Sequence, residues 1–410
     1  MPPWLDTHPA PLTPEVDSAL RILADANIPA AEAAFAALGS VRRVPGHAIT
    51  RREAEDADVL LVRSVTAVDA ALMEGTPVRF VGSATAGTDH VEQAALSDLG
   101  VAFAWAPGSN ATSVVEHVLA GLLAAAADRG EALAGRTLGV VGAGAVGGRL
   151  APRARALGMD VVVCDPPLAA AAEARGESHP YLPLGDVLSR SDVVTLHTPL
   201  TLPDESAWPT RGLLDADAFA AMRPDAWLVN AARGGVVDAD ALRAEVARRV
   251  CVLDVWPGEP SPDPYTVEHA ALASAHVAGY AADGKVRGTA MLAAALREWL
   301  GGGAAPWDEG DALGPAPPAI AAPPAPADAD DPAAQAAWLD ALTRQAYDVR
   351  AEDARTRAVL GGAADRAAAF AELRRTYPTR REWAHYTVEG EVPAPLRTAV
   401  ADGLGMRIAG

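Results

Sequence analysis

The chain has 410 residues, half of them hydrophobic but only 5% aromatic, and 34 Lys and Arg stand against 53 Asp and Glu for a formal charge of −19. That length exceeds one compact core and predicts two or three domains, while the acidic balance argues against nucleic acid as a partner, because phosphate binding needs a basic face. Two cysteines, Cys164 and Cys251, cannot build a disulfide framework; with no basic or apolar leader, a reducing cytoplasm is the expected compartment.

After an expected extension over 1–20, short apolar runs alternate with Ala-rich helical stretches. RILADAN (21–27), ADVLLVRS (57–64), VRFVGS (78–83) and VAFAWA (101–106) read as strands. A longer helix follows, in which Ser113 and Glu116 have the spacing of a capping box. Its apolar run, 118–127, is too short to span a bilayer, so no membrane role is expected. Strands resume at TLGVVG (137–142), DVVVCD (160–165), DVVTLHTP (192–199), AWLVNAARG (226–234), RVCVLDVW (249–256) and ASAHVAG (273–279). Continuous β-branched runs between helices predict parallel strands buried on both faces, hence an α/β fold with two Rossmann-like or flavodoxin-like parallel-sheet domains. Residues 301–334, rich in Gly, Pro, Ala and Asp, read as a linker. The patterning that resumes over 335–410 is too short for a large core of its own, so docking or dimerisation is expected of it rather than an independent regulatory role.

Gly142-Ala143-Gly144-Ala145-Val146-Gly147 closes a strand and opens a helix, and Asp165 ends the next strand eighteen residues past Gly147. That is the context of a dinucleotide fingerprint: the glycines let backbone approach a pyrophosphate, whose charge meets the helix N-terminus. Asp165 would accept from the adenosine ribose and repel a 2′-phosphate, which points to NAD; a Gly-rich turn with an ordinary surface Asp is the bland alternative. Pro152, about two turns into that helix, predicts a kink.

Three later segments hold candidate chemistry: Asn230-Ala-Ala-Arg233-Gly, Asp254-Val-Trp-Pro-Gly-Glu259-Pro and Ser274-Ala-His276-Val-Ala-Gly279-Tyr280. A 2-hydroxy acid needs a guanidinium fork for its carboxylate, an imidazole for its hydroxyl proton and a carboxylate to orient that imidazole. Arg233, His276 and Glu259 supply one of each, although singly they could be a surface ion pair, a core histidine and a solvated loop acid. No metal is called for. The lone lysine, Lys285, fits a GC-rich coding bias, and the acidic excess also suits a high-salt cytoplasm.

At these motifs the chain resembles the D-isomer-specific 2-hydroxyacid dehydrogenases. ADANIP (24–29), VRSVT (62–66), VGSATAGTDHV (81–91), CDPP (164–167), LDVWPGEP (253–260), SAHVAGYAADGKVRGT (274–289), YDVRAED (347–353) and RREW (380–383) are similar to the branch that acts on 4-phosphoerythronate. The resemblance implies His276 as acid/base, Glu259 as its partner and Arg233 as carboxylate clamp. It implies substrate contacts at Ser64, Thr85 and Tyr280, and NAD contacts at Ala145, Val146, Asp165, Thr198, Asp254 and Gly279. It further implies a substrate-binding domain over 21–111 and 279–300, an NAD-binding domain over 112–278, and a small α+β dimerisation domain over 335–410 that makes the chain a homodimer. A small phosphorylated hydroxy acid would be the substrate and a 2-keto acid a reoxidant of the cofactor. A dehydrogenase for another D-2-hydroxy acid, such as 3-phosphoglycerate, and an NAD-sensing corepressor-like protein stay open as alternatives.

Overall fold

In the computed structural model the described residues are Leu5–Asp6, 19–302 and 307–410, so the expected extension over 1–20 falls almost wholly outside them. The chain forms two compact units, Met1–Asn110 with Ala281–Pro315 and Ala111–Tyr280 with Ala316–Gly410.

The first unit holds β1 (Leu5–Asp6), β2 (Leu20–Asp25), β3 (Gly39–Val44), β4 (Val59–Val62), β5 (Phe80–Ser83) and β6 (Ala102–Trp105). They lie in the order β1-β6-β5-β4-β2-β3, all parallel except β1, which runs antiparallel to β6. VLLV and FVGS are buried at every position and take the middle of the sheet, as continuous apolar runs require. The strand β3, GSVRRV, was not legible as one. It is an edge strand with exposed positions, and Arg42 and Arg43 guard the open edge. The helix Ala282–Trp299 lays Leu292, Leu296 and Trp299 on this sheet's core beside Phe80.

The second unit holds β7 (Thr137–Val141), β8 (Asp160–Cys164), β9 (Val193–Leu196), β10 (Trp227–Asn230), β11 (Cys251–Leu253) and β12 (Leu272–Ala273), all parallel, in the order β12-β11-β10-β9-β7-β8. The chain runs outward from β7 to β8 and then crosses back to β9. The carboxyl ends of β7 and β9 therefore form the switch point at which such sheets take a ligand.

The C-terminal tail adds a small parallel sheet, β13 (Ile320–Ala321), β14 (Thr387–Glu389) and β15 (Arg407–Ile408), with helices Pro332–Ala346, Val349–Gly361 and Arg366–Arg375. It belongs to the same compact unit as β7–β12. Trp338, Leu339, Leu342 and Trp383 share one hydrophobic core with Val115, Leu119 and Leu122 of the helix Ala111–Arg129, and burying each such side chain contributes about 1.5–3 kcal/mol. That helix is long and apolar enough to cross a membrane, yet 83% of its apolar stretch is buried inside this unit, as befits a helix apolar all round at the centre of a core.

Two local expectations need correction. Ser113 and Glu116 cap nothing: the helix begins at Ala111, and both side chains are buried within it. Ser113 Oγ donates to Glu382 at 3.0 Å, and Glu116 accepts from the Trp383 amide at 2.7 Å. Partners that far along the chain satisfy groups that local spacing reads as a cap. The segment 301–334 is also more than a linker. Residues 303–306 lie outside the described residues, but Gly310–Leu313 forms a 3-10 turn and Ile320 pairs with Val388. The next helix starts at Pro332 because Asp331 accepts from the amides of Ala333 and Ala334, a side-chain N-cap followed by proline at the first helical position. The helix Gly147–Ala156 runs with Pro152 inside it.

Candidate active site

The fingerprint turn joins β7 to the helix Gly147–Ala156. Gly142 has φ +93°, and a Cβ on Gly147 would stand 2.0 Å from the Gly142 carbonyl oxygen, so both positions require glycine. Gly144 differs: a Cβ there would meet nothing within 4 Å, which leaves open space where a pyrophosphate would lie. Asp165, at the end of β8, accepts from Ala143 N at 2.8 Å and from Leu168 N at 3.0 Å. It thus ties the turn down and caps the helix Pro166–Ala174, and each oxygen keeps a second lone pair for a ribose hydroxyl. A Cβ at Gly142 would touch His197 O and Thr198 Cγ2, which sets Thr198 against the turn. Thr198 Oγ1 is buried without a hydrogen-bond partner among the described residues. Such an orphan points to a ligand, and with the open face at Gly144 the residues fit a dinucleotide. Ala145 and Val146 complete the turn. No group of three or more His, Cys, Asp or Glu that could hold a metal ion occurs among the described residues.

Glu259 and His276 are brought together: His276 Nδ1 lies 2.8 Å from Glu259 Oε2. An ionised carboxylate only accepts, so the ring carries its proton on Nδ1 and presents the lone pair of Nε2. The other oxygen of Glu259 accepts from Trp256 N at 2.7 Å, and the Trp256 indole donates to Ser274 O at 2.8 Å. His276 sits at φ +56°, in the left-handed region that non-glycine residues rarely occupy, a strain of about 1–3 kcal/mol that surrounding contacts must over-determine.

Asp254 supplies several of those contacts. It is buried; Oδ1 accepts from Ser274 Oγ (2.6 Å) and Val277 N (2.8 Å), Oδ2 accepts from Ala278 N (3.0 Å), and its carbonyl accepts from His276 N (2.7 Å). Burial opposes its ionisation, but His117, His276 and these donors outweigh it and hold the carboxyl below the usual range. The bridging roles of Ser274 and Trp256 were not foreseen, because each depends on a partner in another segment.

Arg233 follows β10. Asn230 shapes its turn, accepting from Ala232 N and donating to Arg233 O, both at 3.1 Å, and Arg233 Nη1 donates to Ala232 O at 2.8 Å. The Arg233 and Glu259 loops touch backbone to backbone: a Cβ on Gly234 would lie 1.9 Å from Trp256 O. Gly279 and Tyr280 end the histidine segment, and the Tyr280 hydroxyl accepts from Arg374 Nε at 3.0 Å. Cys164 and Cys251 are buried with thiols pushed up to about 11 and about 12 by desolvation, which makes them inert.

Ser64 and Thr85 belong to the first unit. Ser64 is exposed in the turn after β4. Thr85 is half-buried after β5, where its hydroxyl donates to Gly87 O at 2.7 Å and lies 2.7 Å from Ser83 Oγ.

Beneath the histidine segment lies a buried polar cluster. Burial pushes the Glu116 carboxyl up to about 8 against the pull of Arg380. The folded chain therefore holds a proton that the unfolded chain releases near about 4.3, and stability falls as pH rises from that value through about 8. Glu116→Gln keeps an acceptor for the Trp383 amide and removes the titration. Its melting temperature is expected to fall less than the parent's between about pH 6 and about pH 9; equal falls would contradict the assignment.

Comparisons with known proteins give the chain's family. Residues 108–278 match the family model of the D-isomer specific 2-hydroxyacid dehydrogenase NAD binding domain, and residues 326–403 match a domain of unknown function. An erythronate-4-phosphate dehydrogenase of Salinibacter ruber is 51% identical over 95% of this chain and 100% of its own length. One from Pseudomonas aeruginosa is 47% identical over 88% of this chain and 93% of its own. Among solved structures, the TT0316 protein of Thermus thermophilus aligns with a TM-score of 0.56 at 26% identity over 68% of this chain and 97% of its own. The NAD-bound 3-phosphoglycerate dehydrogenase of Entamoeba histolytica aligns at 0.57 and 20% identity, over 69% of this chain and 95% of its own.

Proposed function

The chain belongs to the erythronate-4-phosphate dehydrogenases, within the D-isomer-specific 2-hydroxyacid dehydrogenases, and we propose that it oxidises 4-phospho-D-erythronate at C2 to (R)-3-hydroxy-2-oxo-4-phosphooxybutanoate, a step of pyridoxal 5′-phosphate synthesis. The observation that carries the chemistry is the 2.8 Å contact between His276 Nδ1 and Glu259; the substrate is taken from the full-length relatives.

NAD, when bound, accepts the hydride that leaves C2. Arg233 binds the substrate carboxylate through its guanidinium fork, and Arg233→Lys would lose that bidentate geometry. His276 Nε2 takes the proton of the C2 hydroxyl as the C2–H bond breaks, and Glu259 stabilises the imidazolium that results. Ser64, Thr85 and Tyr280 contact the substrate. Gly142, Gly144, Ala145, Val146 and Gly147 cradle the pyrophosphate, Asp165 accepts from the ribose, and Thr198, Asp254 and Gly279 complete the cofactor contacts. Asp254 does so while pinning the histidine segment, through the one lone pair, on Oδ2, that its internal bonds leave open. The cofactor is recycled by a 2-keto acid, since oxidation of a 2-hydroxy acid by NAD is uphill near neutral pH. The working form is a cytoplasmic homodimer that associates through the tail.

A substrate panel tests this reading. With NAD and a 2-keto acid, turnover is expected on 4-phosphoerythronate and not on 3-phosphoglycerate or with NADP. Activity on 3-phosphoglycerate with none on 4-phosphoerythronate would overturn it.

A further inference from the structure

The tail motifs turn inward, toward the segment that carries His276. In RREW, Arg380 is buried and Trp383 donates its amide to Glu116. In YDVRAED, the Tyr347 hydroxyl lies 2.9 Å from His117 Nδ1, and Asp353 accepts from the amide of Ala273 in β12 at 2.7 Å. Arg380 reaches furthest. Its Nη2 donates to the carbonyl of Ala278 at 2.6 Å and to that of Ser113 at 3.1 Å, while Nε donates to the Tyr377 hydroxyl at 3.1 Å. The guanidinium lies 4.3 Å from the centre of the Tyr347 ring, with Glu116 Oε2 3.5 Å from Nη1.

Two charged side chains therefore hold the two ends of one peptide residue. Asp254, just past β11, accepts the N–H of Ala278, and Arg380, from the tail, donates to its C=O. Ala278 stands two residues past His276, whose left-handed backbone persists only where its surroundings fix it. A residue that merely docked the tail would be satisfied by the helix Ala111–Arg129 and its own neighbours; Arg380 spends its shortest hydrogen bond on the histidine segment. From this juxtaposition we infer that Arg380 is a positioning residue for His276, so that a seated tail is a condition for catalysis and not only a means of association. The inference rests on the acid/base reading of His276.

Arg380→Lys keeps a cation among Glu116, Tyr347 and Tyr377 but cannot make all three kinds of contact; Arg380→Met removes the donors. Both are compared with the parent in kcat, KM, NAD affinity, melting temperature and the proton resonance of the His276 Nδ1–H···Glu259 bond, assigned by its loss in His276→Gln. For Arg380→Met the expected result is a fall in kcat of about 10-fold or more, unchanged NAD affinity, and an upfield shift or loss of that resonance. Arg380→Lys should recover part of both. If Arg380→Met fails to fold, Tyr377→Phe, which removes only the hydroxyl that holds Nε, should weaken the resonance and lower kcat in the same sense. A folded Arg380→Met with parental kcat and an unmoved resonance would overturn the inference, as would losses that track only the folded fraction or NAD affinity. The resonance needs no turnover: a parent enzyme inactive on 4-phosphoerythronate would overturn the functional reading, while the resonance would still decide the positioning.

Discussion

Replacing His276 by alanine is expected to lower kcat by about 10²–10⁴-fold, the usual contribution of a positioned general base. NAD affinity should be unchanged, because the fingerprint turn, Asp165 and Thr198 take none of their contacts from the imidazole. Among the described residues, Glu259 is the side chain that holds the ring, at 2.8 Å. Glu259→Gln keeps the shape of that contact and removes its charge. An amide can offer either its oxygen or its NH₂ to Nδ1, so the tautomer with a free Nε2 is no longer enforced and the imidazolium loses its counter-charge. A loss on the order of 10²-fold in kcat is expected, smaller than that for His276→Ala. Steady-state kinetics with NAD binding measured separately checks both; a fully active His276→Ala would remove the histidine from the mechanism.

The second large effect is steric. A Cβ at Gly234 would stand 1.9 Å from the oxygen and 2.0 Å from the carbon of the Trp256 carbonyl, and 2.7 Å from Pro257 N. All three are backbone atoms, so no side chain can swing away. Gly234→Ala must push the Arg233 loop and the Trp256–Glu259 loop apart, and Trp256 N is the group that holds Glu259 in place. Stability should fall by about 1–3 kcal/mol. The rate kcat/KM should fall on the order of 10²-fold, the effect of a displacement near 1 Å at the reacting groups. Gly144→Ala is the informative contrast: its Cβ enters open space, so folding should be unaffected while NAD binding weakens. Thermal melts and kcat/KM of the two variants together check the account; a Gly234→Ala protein with parental activity would contradict it.

Much of the second unit was legible because physics concentrates its signals locally. Short continuous apolar runs such as those of β7, β9 and β10, alternating with helical stretches, fit central parallel strands, and the residues that act at a parallel sheet lie just past strand ends. Glu259 and His276 could be picked out that way. What escaped was non-local. The edge strand β3 carries Arg42 and Arg43 and has no buried run to announce it. Ser113 and Glu116 have the residue types and spacing of a cap, yet their partners lie 269 and 267 residues away. A separation of 102 residues likewise hid Arg380, whose motif marks a resemblance but not the carbonyl of Ala278 that it grips. Net charge, too, was informative only in bulk. On the proposed reading, a chain of −19 that is to bind two anions relies on the helix N-terminus at Gly147 and on Arg233, not on its average field.

The proposed reaction is a hydride transfer from C2 of a 2-hydroxy acid across a site built on His276 and Glu259. Its most direct test is 4-phosphoerythronate carrying deuterium at C2, incubated with NAD and stoichiometric enzyme and followed by mass spectrometry. The label is expected on the reduced nicotinamide, with a 2-oxo product formed in equal amount. Deuterium retained on the organic acid, or lost to solvent while the cofactor stays unlabelled, would contradict it.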